Sequence, residues 1–156
     1  MKGRLAIIGV LLAVASASAR TQEPFGFGVI VGEPTGLSLK YWLDDDRAVD
    51  GAAAWSFSEN DSFQLHGDYL FHNREWLEAD ELPCYYGLGA RIKFKHDDGR
   101  GRNEHDTIFG IRFPLGITYL FDEIPLDVFA EIVPVLDLTP DADVDLNAAI
   151  GCRFYF

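Results

Sequence analysis

The 156-residue chain carries 25 acidic against 13 basic residues, a formal net charge of −12. That balance excludes a nucleic-acid binder, because no basic patch is left to replace phosphate counterions. The length is that of one domain, and no apolar run reaches the ~20 residues that a membrane-crossing helix needs.

The N-terminus reads as an export signal. Lys2 and Arg4 precede the apolar run Leu5 to Val14, and Ala15-Ser-Ala-Ser-Ala19 supplies small residues for signal peptidase. Cleavage is expected after Ala19, making residues 1–19 a signal peptide and 20–156 one domain. Export permits a disulfide. Cys84 and Cys152 nevertheless fall on the outward face of strands that are not neighbours in the reading below, so free thiols are expected.

From Phe25 to Phe156 the chain alternates with period two, the spacing of a strand with unlike faces. Phe25, Phe27, Val29 and Val31 alternate with Gly26, Gly28, Ile30 and Gly32, and Glu33-Pro34 turns the chain. Leu37, Leu39, Tyr41 and Leu43 form the same face of a second run, closed by Asp44-Asp-Asp46-Arg47. The third run carries Val49 to Phe57 and the fourth Phe63 to His72; the connection from Asn73 to Pro83 holds Trp76. Cys84 to Lys95 is the fifth run, and a charged loop, His96 to Asp106, leads to the sixth, Thr107 to Phe121. The seventh, Leu126 to Asp137, is the least regular, and Asp145 to Phe156 is the last. Eight strands in sequence, short connections and no helix predict an all-β, antiparallel up-and-down barrel. Pro114 and Pro134 each remove a ladder donor and are expected as bulges in neighbouring strands.

Alternation alone also fits a soluble lipocalin-like barrel that binds a small apolar ligand, with its apolar face inside. Two patterns favour the reverse arrangement, a barrel in an outer membrane. Lys40, Asp50, Asp68, Arg91, Lys93, Arg112, Asp127, Glu131 and Arg153 share the non-apolar face, and eight strands enclose a lumen that such side chains fill. The apolar face keeps its aromatics for the strand ends. Phe25, Phe27, Tyr41, Tyr69, Phe71, Tyr86, Tyr119, Phe121, Phe154 and Phe156 collect at the end with the termini, and Trp55, Phe57, Phe63, Phe94 and Phe109 at the other. Two aromatic belts around an aliphatic band match two membrane interfaces. Such a chain spans the bilayer as a closed barrel, with lipid around it.

The turns predict lumen ion pairs. A turn symmetric about Asp45 sets Lys40 opposite Asp50, and one symmetric about Ala142 sets Glu131 opposite Arg153. Arg91, Lys93 and Arg112 then need Asp68, Asp127 or Asp137 as counter-ions.

On this pattern the chain resembles the small eight-stranded outer-membrane barrels typified by the transmembrane domain of outer membrane protein A and by outer membrane protein X. The closing Arg153-Phe-Tyr-Phe156 looks like the terminal signal, carried by Phe154 and Phe156, that the barrel assembly machinery reads in that group. Gly28 to Lys40 and Pro83 to Phe94 resemble a family of small exported barrels without assigned activity. The resemblance implies the outer membrane of a Gram-negative envelope, a monomer, and a structural or surface-interaction role. It departs from the group in lacking long adhesive loops, since the first outer turn is only Glu33-Pro34, and in having no peptidoglycan-binding domain after the barrel.

Some membrane barrels are hydrolases or acyltransferases, which need a nucleophile or an activated water beside a base. His66 and His72 face the lumen, His96 and His105 flank an acidic loop, and no Ser-His-acid spacing stands out. No enzyme and no cofactor are expected. Asp141-Ala-Asp-Val-Asp145 has the alternating oxygens of a calcium loop without its glycine and distant glutamate, so a solvated acidic turn is expected. A pore is not, because eight strands close around side chains.

Overall fold

The computed structural model describes residues 23–56, 62–95 and 106–156. The expected signal peptide, Phe57, His96 and His105 lie outside these residues. Nine strand segments form one antiparallel sheet: β1 (Phe25–Gly32), β2 (Thr35–Trp42), β3 (Arg47–Ser56), β4 (Ser62–Asn73), β5 (Cys84–Lys95), β6 (Asp106–Arg112), β7 (Leu115–Leu120), β8 (Leu126–Thr139) and β9 (Asp143–Tyr155). Each pairs with its sequence neighbour, except that β6 and β7 lie end to end as one stave between β5 and β8. The last strand returns to the first, Gly26–Gly32 against Tyr155–Ala149. The staves therefore follow one another in a ring, and the fold is an eight-stranded up-and-down barrel.

The register fixes its geometry. From Gly28 the partners run through Ser38, Ala52, His66, Arg91, Gly110 and Asp137 to Asp143 on β9, whereas Gly28 itself faces Arg153. A circuit thus climbs from residue 153 to residue 143, the stagger that goes with strands tilted by ~35–45°.

The sixth run does not stay whole. Phe113-Pro114 interrupts it, yet the two residues preserve parity, so Arg112 and Thr118 both point inward. A smaller irregularity lies at Phe109/Gly110 against β8. Pro134, expected as a bulge, instead sits in an unbroken strand opposite Leu146. Its carbonyl accepts from Phe113 N–H at 3.0 Å. A strand residue presents N–H and C=O to the same side, so the donor Pro134 lacks would point at the interruption, where no ladder needs it.

The two faces separate as the alternation demands. Phe25, Phe27, Val29, Leu37, Leu39, Leu65, Leu88, Ile117, Val128 and Ile132 are exposed on the wall, while Lys40, Asp68, Arg91, Arg112, Asp127 and Arg153 are at most 4% exposed inside. Belt aromatics meet across strands, Trp55 with Phe63 and Phe63 with Phe94 at one end and Phe71 with Tyr86 at the other, and Tyr69 packs on Phe71 along β4. Cys84 and Cys152 are free thiols.

The edge of the ring is uneven. Beyond Ala149, β9 outruns β1, so among the described residues its stretch from Asp143 to Asn147 is paired only with β8. Glu33 N–H donates to Ala148 C=O, which shows that even-numbered residues of β9 turn their backbone groups toward the β1 side. The free donors on that edge are therefore Val144 and Leu146. Asp143 Oδ1 accepts the first and Asp145 Oδ1 the second, both at 2.9 Å. The alternating aspartates that resemble a calcium loop thus have structural work, since Asp145 Oδ2 also accepts from Arg91 Nη2. At the opposite end the Arg47 guanidinium holds the Asp44 carboxyl below the usual carboxylate range.

Candidate functional site: a charged, filled lumen

Alternation sends charged residues from every stave into one interior, so the site is built by parity and its partners by register. The β2–β3 turn has the expected symmetry and sets Lys40 opposite Asp50. The side chains do not pair there. Lys40 Nζ lies 2.9 Å from His72 Nε2 and 4.3 Å above the Trp42 ring, with Tyr85 beyond.

Asp50 goes to Arg153. On the β8–β9 hairpin Glu131 faces Ala149 and Arg153 faces Asp127, which corrects the expected Glu131–Arg153 pairing by four residues. The register, with Asp137 opposite Asp143, centres the hairpin on Pro140 rather than Ala142. A four-residue slip preserves parity, and alternation could not detect it. Arg153 consequently binds Asp50 at 3.0 Å, Ser38 Oγ at 2.9 Å and Asp127 at 3.7 Å, and its guanidinium lies 3.9 Å over the Phe129 ring.

Asp50 also stands directly opposite Asp68, a juxtaposition that repels. Each carboxylate takes its own arginine: Arg112 Nε donates to both oxygens of Asp68 at 2.9 and 3.1 Å. Gly89 makes that fit possible, since a Cβ there would collide with Asp68 Oδ1. Glu131 accepts from Tyr85 Oη at 2.9 Å and lies 3.8 Å from Arg112 Nη2. Tyr155 Oη donates to Asp127. Farther toward the β8–β9 turn, Arg91 donates to Asp137 through Nε and Nη2 at 3.0 and 2.6 Å, and reaches Asp145 at 3.1 Å.

Chemically this arrangement neutralises charge and fills space. Among the described residues neither lumen histidine is hydrogen-bonded to a hydroxyl: His72 meets Lys40 and His66 meets the Gln64 amide. Among the described residues no group of three His, Cys, Asp or Glu side chains could hold a metal. Among the described residues Arg112 Nη1 and Nη2 and Arg153 Nη1 have no hydrogen-bond acceptor; Nη2 of Arg112 lies 3.8 Å from Glu131 and Nη1 of Arg153 3.7 Å from Asp127. Furrows of about 670 and 610 Å³ lie on the outer wall, where Gly51, Gly67 and Ala90 dip between Leu39, Leu65 and Leu88.

The family model described as "Protein of unknown function (DUF3996)" matches residues 16–154. The chain belongs to that family. In fold, this DUF3996 member is similar to the N-terminal β-barrel domain of Pseudomonas aeruginosa OprF, a crystal structure. The TM-score is 0.67 over 85% of this chain and 95% of that one, at 15% sequence identity. No curated protein matches the chain.

Sequence reasoning alone left several members of the lumen network unassigned. Tyr85, Tyr155, Gln64 and Ser38 all lie on the inward parity, and that was the available signal. Among the DUF3996 chain's inward residues, only their distances across the lumen distinguish a hydrogen-bonding hydroxyl from a space-filling ring.

Proposed function

We propose that this protein is an integral outer-membrane β-barrel with a structural or surface-interaction role, a monomer whose lumen is sealed by side chains, and not an enzyme. The observation that carries this reading is the inversion of polarity. The interior holds paired charges such as Arg112–Asp68, and the exposed wall is apolar, aliphatic apart from Phe113 between two aromatic belts. In water that wall would be an apolar surface far beyond the few hundred Å² a soluble monomer exposes. In a bilayer it is solvated by lipid, and ring pairing satisfies the backbone of the staves. The barrel fold shared with the OprF domain supports the same reading. The terminal Phe154 and Phe156, packed edge to face at 5.4 Å, suit a signal for the barrel assembly machinery, and the N-terminal export signal delivers the chain to it.

A lipocalin-like carrier needs an apolar chamber, and the described interior is charged and occupied, which disfavours that alternative. The deciding measurement is fractionation of cells expressing the full chain. The protein is expected with outer membranes, and its gel mobility is expected to change on boiling. Recovery from a periplasmic extract without detergent would overturn the proposal.

A further inference from the structure

The connection between β4 and β5, residues 74–83, is a built element rather than a slack turn. Asn73 Oδ1 accepts the N–H groups of Glu75 and Trp76 at 2.9 and 3.0 Å, which starts a helical turn. Glu78 ends it in the left-handed region, φ 51°, a conformation uncommon outside glycine. Arg74 ties the turn down by donating to Asp80 C=O and, across the rim, to Asp45 C=O at 3.0 and 3.1 Å. On the other flank Glu81 C=O accepts from Leu120 N–H at 2.8 Å, and Tyr119 Oη donates to the Glu81 carboxylate.

These ties orient two apolar side chains away from the lumen. Trp76 is 62% exposed and Leu77 45%. Trp76 is not aimed into open water: its ring stacks on Tyr86 at 5.8 Å and 18°, and Tyr86 stacks on Phe71, so it extends the aromatic belt beyond the end of β5. An exposed, rigidly held Trp-Leu pair continuous with a belt has the make-up of an interfacial anchor, an apolar body with a polar N–H at headgroup level. Around it Glu75, Glu78, Asp80 and Glu81 are exposed, and such carboxylates are repelled by anionic headgroups.

Resting on the outer-membrane reading, we propose that residues 74–83 form a foot that seats Trp76 and Leu77 in the headgroup–acyl boundary of zwitterionic phospholipid, at the rim that carries the chain termini. Its acidic residues weaken the seat when the lipid is anionic.

The test uses the mature chain refolded into phosphatidylcholine vesicles containing brominated lipid. Trp42→Phe/Trp55→Phe leaves Trp76 as the reporter, and Trp42→Phe/Trp76→Phe leaves Trp55, in the opposite belt. Heat-modifiable mobility verifies folding. Because Trp42 packs against His72 in the lumen, Trp76→Phe in the otherwise native chain serves as a second route, through the difference spectrum. The expected result is a blue-shifted Trp76 emission, quenched more by bromines near the headgroup than by bromines at the chain ends. Replacing a third of the lipid by phosphatidylglycerol should reduce that quenching. Trp55 quenched while Trp76 is not would overturn the foot alone, and quenching that ignores the anionic lipid would overturn its zwitterionic preference. Neither tryptophan quenched would overturn the membrane reading itself.

Discussion

At the scale of single residues, Arg153 holds the most. Its guanidinium serves Asp50 and Ser38, neighbours Asp127 and covers Phe129, and it is 2% exposed. Removing one member of a buried ionic group leaves its partners charged and unpaired, at a cost of roughly 3–5 kcal/mol. Arg153→Ala is therefore expected to lose stability of that order, measured as the shift in unfolding midpoint in detergent. A melt indistinguishable from the parent would refute the pairing. That Arg153 points inward is legible from its place between Cys152 and Phe154. That it binds Asp50 is not, because the two lie 103 positions apart and only ring closure between β1 and β9 brings them together.

At the scale of elements, the exposed margin of β9 is the unusual feature. A free strand edge invites pairing with another chain, and here its two available donors are taken by Asp143 and Asp145. Asp143→Ala/Asp145→Ala frees both while leaving the outward residues untouched. The double variant should form cross-linkable dimers in detergent that the parent does not. Asp145→Asn separates this effect from loss of the Arg91 contact, because an amide oxygen can still accept the Leu146 N–H. A monomeric double variant would show that the capping does not guard the edge. The sequence displayed these aspartates but not their use, since a calcium-like spacing and a capped edge share the same letters. Proline was equally ambiguous. Pro114 and Pro134 looked alike, yet one breaks its stave and the other, facing that break, does not disturb its own strand.

At the scale of the molecule, eight staves close around side chains. Arg91, Arg112, Arg153, Tyr85 and Phe129 are buried in the interior, and the proposed filled lumen is expected to pass no ions, so planar-bilayer recordings should show no discrete conductance steps. Regular unitary openings from purified protein would contradict a sealed lumen. The acidic net charge does not accumulate inside, where buried cations meet the carboxylates, but at turns such as Asp44–Asp46 and the loop around Trp76.

The sequence by itself determined which residues face in and which face out, because a period of two is a local property of the strand and survives even the break at Phe113-Pro114. It also determined the class of fold, since eight such runs with short connections have few ways to bury charge together. Only the tertiary structure decided who pairs with whom. Register can slip by an even number of residues without changing any face, as it does between Glu131 and Asp127, and the long-range partners of each lumen charge follow from the stagger accumulated around the ring.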